Sequence, residues 1–146
     1  MLEAVRTLIP DTGIVHLSEN AIAPMPGSYL LFLELQVPRS VKIARRDAAL
    51  PAGLYAYAGS AKGPGGLRAR LGRHLRGDGR TRWHIDQITV QAHARAGFAY
   101  RSRTECELVR TLLENSEFSV PIERFGSSDC KTCASHLLQF QAAPKA

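Results

Sequence analysis

The chain has 146 residues, 45% hydrophobic and 22% charged, with a net charge of +6 and three cysteines. That is the length of one domain, long enough to bury a core without disulfides. The odd cysteine count argues against a disulfide framework, and no apolar run approaches the ~18 residues of a membrane span.

These limits predict a cytoplasmic protein with no membrane partner, and the N-terminus shows no signal-peptide pattern. The excess positive charge is mostly arginine, whose planar fork suits phosphate. A nucleic-acid partner is one reading of that balance, and a small basic protein with no polyanion partner is the other.

Residues 1–26 are interrupted by Pro10, Gly13, Pro24 and Pro26, so they read as an N-terminal extension with one short helix over Met1–Leu8. Residues 27–140 form the expected domain, and 141–146 a tail. SYLLFLELQV (28–37) predicts a strand with apolar residues on both faces, hence central and covered. VKIARRDAALPAG then predicts strand, turn and strand, and Leu54–Ala58 a second strong strand.

The loop GSAKGPGG, with Ser60 and Lys62, suits a phosphate cradle, although it lacks the Lys-Ser/Thr ending of a nucleotide loop. GLRARLGRHLRG predicts a helix with Leu67, Leu71 and Leu75 as its apolar stripe and Gly77 as its cap. Arg70 and His74 are four apart, so they share one face at the edge of that stripe. Arg68, Arg73 and Arg76 point elsewhere and suit general phosphate contact; the bland alternative is a solvated basic face.

WHID places His84 and Asp86 as an acid–base or ligand pair, or as structural residues. The stretch from there to Ser102 predicts extended segments around a turn near Ala96 and Gly97. TECELVRTLLEN predicts a second helix. At about 100° per residue, Glu105 falls among Val109 and Leu112, whereas Glu107 faces solvent. Glu107 also lies three residues after Thr104, as in a capping box. Glu105 thus lacks a structural explanation: it binds a metal, pairs with an arginine, or marks a misread helix phase.

DCKTCASH suggests zinc or thiol chemistry through Cys130, Cys133 and His136, with Cys106, His84 or His74 as a fourth ligand. Buried thiols beside a hydrogen-bonded histidine are the alternative. A last helix is expected over about Cys133–Phe140. The order β-β-β-α-β-α-α predicts an α/β fold with a small central, mainly antiparallel sheet flanked by helices.

GSYLL, YAYAGSA, the arginine-bearing helix and the later glutamate helix together resemble the GIY-YIG nuclease superfamily. The segments GLYAYAGSAKGPGGLRARLGRHLR, WHID, ECEL and FGSSDCKTCASHL are similar to a little-characterised branch, found alone or fused to endonuclease III-type glycosylases. The resemblance covers about residues 26–140. It implies a divalent-metal-dependent endonuclease using Mg²⁺ or Mn²⁺, acting in DNA repair or in processing of DNA structures.

By position, Tyr29 and Tyr57 are the paired tyrosines, Arg70 the phosphate-binding arginine, His74 the residue one turn later and Glu105 the metal ligand. Ser60, Lys62, Arg68, Arg73, Arg76 and His84 are expected to contact nucleic acid. His74, at its ordinary pKa near 6.5, suits a general base at neutral pH, with Tyr29 the other candidate. Tyr57 follows Tyr29 by 28 residues, longer than the superfamily's usual spacing, and residues 36–53 read as an inserted hairpin. Two other functions remain open: a catalytically inactive binding module of the same fold, and a zinc or thiol protein.

Overall fold

The computed structural model describes Val5 and residues 15–43, 45–77, 84–126 and 132–141. The helix expected over Met1–Leu8 and the ligand candidate Cys130 lie outside the described residues, apart from Val5, which is helical and buried.

The elements run β1 (Gly27–Leu35), β2 (Arg39–Ile43), β3 (Arg46–Leu50), β4 (Gly53–Ala61), α1 (Gly66–Arg76), α2 (Asp86–Thr89), β5 (Ala94–Tyr100), α3 (Glu105–Leu113), β6 (Phe118–Ser119) and β7 (Leu137–Phe140). Five strands form one antiparallel sheet in the order β5-β1-β4-β7-β6. The second sheet is the hairpin β2–β3, inside the connection from β1 to β4 as expected.

Residues on a strand alternate faces, and β1 and β4 are apolar on both. Leu31, Leu33 and Leu35 pack with Tyr55, Tyr57 and the α1 stripe Leu67, Leu71 and Leu75. Leu30, Phe32, Ala56 and Ala58 pack with Leu108, Val109 and Leu112 of α3 on the other side. Each buried leucine contributes roughly 1.5–3 kcal/mol, so helices on both faces hold β1 as the central strand its pattern predicted. Gly77, in the left-handed conformation, closes α1 by donating its N–H to His74 O.

Three local expectations are corrected. Residues 137–140 are a strand paired with β4 and β6, in place of the expected helix. A short apolar run does not by its period distinguish a buried strand from a helix, and Leu137 and Leu138 bury on opposite faces. Gly97 lies inside β5 and not in a turn. A Cβ there would stand 2.8 Å from a Leu71 methyl, so the glycine lets α1 approach the sheet. Asp86–Thr89, expected within an extended stretch, is one helical turn.

Candidate active site

The sheet positions the two tyrosines through one ladder. Tyr29 pairs with Gly59 and Leu31 with Tyr57, so both rings stand on the α1 face. The Tyr29 ring lies across Gly59: a Cβ there would fall 2.2 Å from Tyr29 Cζ. Tyr-Ala-Gly at 57–59 therefore presents one tyrosine and leaves room for the other. The ring centroids are 6.4 Å apart.

Helix α1 brings His74 against both rings, 5.6 Å from Tyr29 and 6.5 Å from Tyr57. His74 is 1% exposed, deeper than the helix-edge position expected for it. Its Nε2 lies 2.9 Å from the Tyr29 hydroxyl, and its Nδ1 3.6 Å from Asp86 Oδ1. Asp86 in turn accepts two hydrogen bonds from Arg73, at 3.0 and 3.1 Å. The result is a buried chain, Arg73–Asp86–His74–Tyr29.

The His74 pKa is lowered to about 4, mainly by burial, with Asp86 opposing the shift and Arg73 and Arg70 adding to it. The expectation that His74 titrates near 6.5 is thereby corrected: at neutral pH it is an uncharged imidazole. A proton on Nδ1 faces Asp86 and leaves Nε2 to accept the Tyr29 hydroxyl. Burial also pushes Tyr29 well above the usual tyrosine range; the neighbouring Tyr57 and Glu105 raise it, while Arg70 lowers it. Tyr57 is raised by burial and then by Glu105, against Arg70. The two tyrosines, Arg70 and Glu105 thus lie within one electrostatic neighbourhood.

Helix α3 supplies the carboxylate. Thr104 caps it, accepting the Glu107 backbone N–H at 3.2 Å, which leaves the Glu107 side chain exposed. The Glu105 side chain is 31% exposed and borders an open pocket shared with Ser28, Ser60, Lys62, Arg101 and Arg103. The pocket lies at the end of the sheet where β1 begins and β4 ends. Three cations face one carboxylate there. A magnesium-class ion takes one or two carboxylates together with waters and substrate phosphate, and a single carboxylate in an open, cation-lined pocket fits that demand.

Arg70 is half-buried and donates to Ser60 O. Arg68 is exposed. Arg76 pairs with Glu19. His84 Nδ1 accepts the Gly126 N–H at 3.2 Å, and its ring packs 5.5 Å from Phe125. Tyr29, Tyr57 and His74 are therefore packed together, Arg70 reaches Ser60, which lines the pocket with Lys62 and Glu105, Arg73 and His84 are engaged within the fold, and Arg76 is exposed in a surface ion pair.

Sequence reasoning missed Arg101 and Arg103, although RSR directly before the cap of the glutamate helix was a readable signal. It offered Asp86 only as a possible partner of His84, whereas the fold turns Asp86 toward His74 and Arg73. No spacing carries that pairing.

No curated protein and no solved structure matches the chain at a significant level. A family model does, over residues 28–146. That span takes in β1, both tyrosines, α1, the glutamate helix and the final strand, so on the match the chain belongs to the family described as domain of unknown function DUF123.

Proposed function

We propose that the protein is a metal-dependent endonuclease that hydrolyses nucleic-acid phosphodiesters, with DNA as the favoured substrate and repair or processing of DNA structures as the setting. The observation that supports this reading is a pocket that Glu105 lines together with Ser60, Lys62, Arg101 and Arg103, with Arg70 bonded to Ser60 O and the pKa shifts of Tyr29 and Tyr57 feeling both Glu105 and Arg70. Tyr29, Tyr57, Arg70 and Glu105 also carry the resemblance to GIY-YIG nucleases.

In this reading Lys62, Arg101 and Arg103 seat the phosphate backbone, and Arg70 offsets charge developing on the phosphoryl oxygens. Glu105 holds a Mg²⁺ or Mn²⁺ ion, which supplies Lewis-acid stabilisation of the phosphodiester when bound. Tyr29 hands its hydroxyl proton to His74 Nε2 as it takes one from the reacting water, and Asp86 stabilises the resulting imidazolium, as in a serine-protease triad.

A second reading, a nucleic-acid-binding module without catalysis, is favoured by one observation: burial moves both tyrosines up and His74 down, away from neutrality. A panel of labelled single strands, duplexes, junctions and lesion-bearing DNAs, incubated with Mg²⁺ or Mn²⁺, separates the two. The nuclease reading requires cleavage by wild type and none by Glu105→Ala. Binding by both proteins without cleavage of any substrate rejects it in favour of the binding module.

A further inference from the structure

Beside the pocket lies a second group of ligating atoms. Cys106 follows Glu105 on the first turn of α3, and Cys133 and His136 lie on the segment entering β7. One ligand atom from each lies within 4.8 Å of the others. We propose that Cys106, Cys133 and His136 bind a zinc-class divalent ion, at a site distinct from the magnesium-class position at Glu105 and independent of the nuclease reading.

Two sulfurs and an imidazole nitrogen select a borderline-soft ion over magnesium. Tetrahedral zinc, with bonds of about 2.3 Å to sulfur and 2.0 Å to nitrogen, holds such atoms roughly 3.5–3.8 Å apart.

His136 supplies an independent observation. It is 3% exposed, and its buried Nε2 has no hydrogen-bond partner among the described residues. An unsatisfied buried acceptor or donor is costly and calls for an explanation. The other ring nitrogen, Nδ1, lies 3.9 Å from Glu105 Oε2. A carboxylate behind one imidazole nitrogen is the arrangement that orients a metal-ligating histidine, with the proton on the nitrogen facing the carboxylate and the other nitrogen left for the metal. Thr132 Oγ1 donates toward Cys106 Sγ at 3.6 Å and lies 3.9 Å from Cys133 Sγ, placing a hydroxyl beside both sulfurs.

The three ligands come from two segments far apart in sequence. An ion there clamps the start of α3 to the strand entry behind it, and so fixes the backbone that carries Glu105. Among the described residues the cluster has three ligands, one short of the four of a closed structural zinc site.

The test uses the full chain purified under reducing conditions. Elemental analysis is expected to find one zinc per chain. Co²⁺ titrated into chelator-stripped protein is expected to give the intense visible bands of tetrahedral coordination and a thiolate charge-transfer band. Cys106→Ser and His136→Gln each should abolish both signals. Glu105→Gln should keep them, with affinity reduced about 10–100-fold as the histidine loses its orienting carboxylate. Stripping zinc should lower the melting temperature of wild type and leave Cys106→Ser unchanged.

Wild type that purifies without zinc and gives no tetrahedral cobalt spectrum overturns the proposal, whatever the variants do. Retention of stoichiometric zinc by folded Cys106→Ser removes Cys106 from the site and overturns it equally. Neither result depends on cleavage, so the site and the nuclease reading fail separately.

Discussion

Tyr29 occupies its place only because residue 59 has no side chain. Gly59→Ala forces the tyrosine ring off its rotamer or the strands apart, an overpacking cost of about 1–3 kcal/mol. In Tyr29→Ala/Gly59→Ala the obstruction is gone, so urea denaturation should show less destabilisation than the sum of the single variants, with a coupling of about 0.5–3 kcal/mol.

His74 makes a second prediction at this scale. Its folded pKa of about 4 lies below the ordinary histidine value of 6.5, so between those values the unfolded chain binds more protons. Stability should therefore fall as pH drops through that window, by an amount on the order of 3 kcal/mol once complete. His74→Gln, which retains a polar partner for Tyr29, should flatten that slope relative to wild type in denaturation curves taken from pH 7 to 4. A slope identical in both proteins assigns the effect to other groups. On the proposed nuclease reading the two glutamates give the sharpest contrast: Glu105→Gln should abolish cleavage while keeping the fold, whereas Glu107→Gln, exposed beyond its backbone cap, should leave cleavage nearly unchanged. The reverse result would place the metal two residues later on the helix.

Elements with a repeated pattern were legible in the sequence. The Leu67–Leu71–Leu75 stripe, the Gly77 cap and the two-faced apolar run of β1 each follow from local periodicity. The phase of α3 follows too, since its buried residues are Leu108, Val109 and Leu112 and Glu105 projects from that side. The Thr104 cap is likewise present, and Thr104→Ala should cost about 1 kcal/mol, measurable by thermal melts, with the loss centred on the turn that carries Glu105 and Cys106. Short apolar segments were not legible. Four residues at 137–140 do not fix a period, and only β4 and β6 on either side make them a strand. The site divides along the same line. Tyr29, Tyr57, Arg70 and Glu105 stand in recognisable segments, whereas the contacts of Asp86 with His74 and Arg73 arise when α2 packs beneath α1, a tertiary event with no sequence spacing of its own.

Across the whole molecule, the basic residues divide into two populations. Arg73 is half-buried and tied to Asp86, while Lys62, Arg68, Arg76 and Arg101 are exposed, Arg76 in a surface ion pair with Glu19. Nucleic-acid binding should therefore weaken steeply with salt, by about 0.9 log units in affinity per log unit of salt for each duplex phosphate contacted. Lys62→Ala/Arg101→Ala should flatten that slope by about two contacts' worth. Arg73→Ala should instead act mainly on stability, because it leaves Asp86 buried without its cation. Titrations at several salt concentrations separate the two classes, and an affinity indifferent to salt rejects a phosphate-led interface. The hairpin between β1 and β4 has a different kind of consequence. Chain added between Leu35 and Gly53 leaves and returns at the end of the ladder opposite the pocket, so it changes neither the register nor the separation of the tyrosines. Closing a longer connection costs only a fraction of a kcal/mol for moderate growth. The interval between the two tyrosines is thus a free parameter of the architecture: relatives can lengthen, shorten or decorate it, and an engineer can graft a recognition segment there, while the geometry at the other end stays constant.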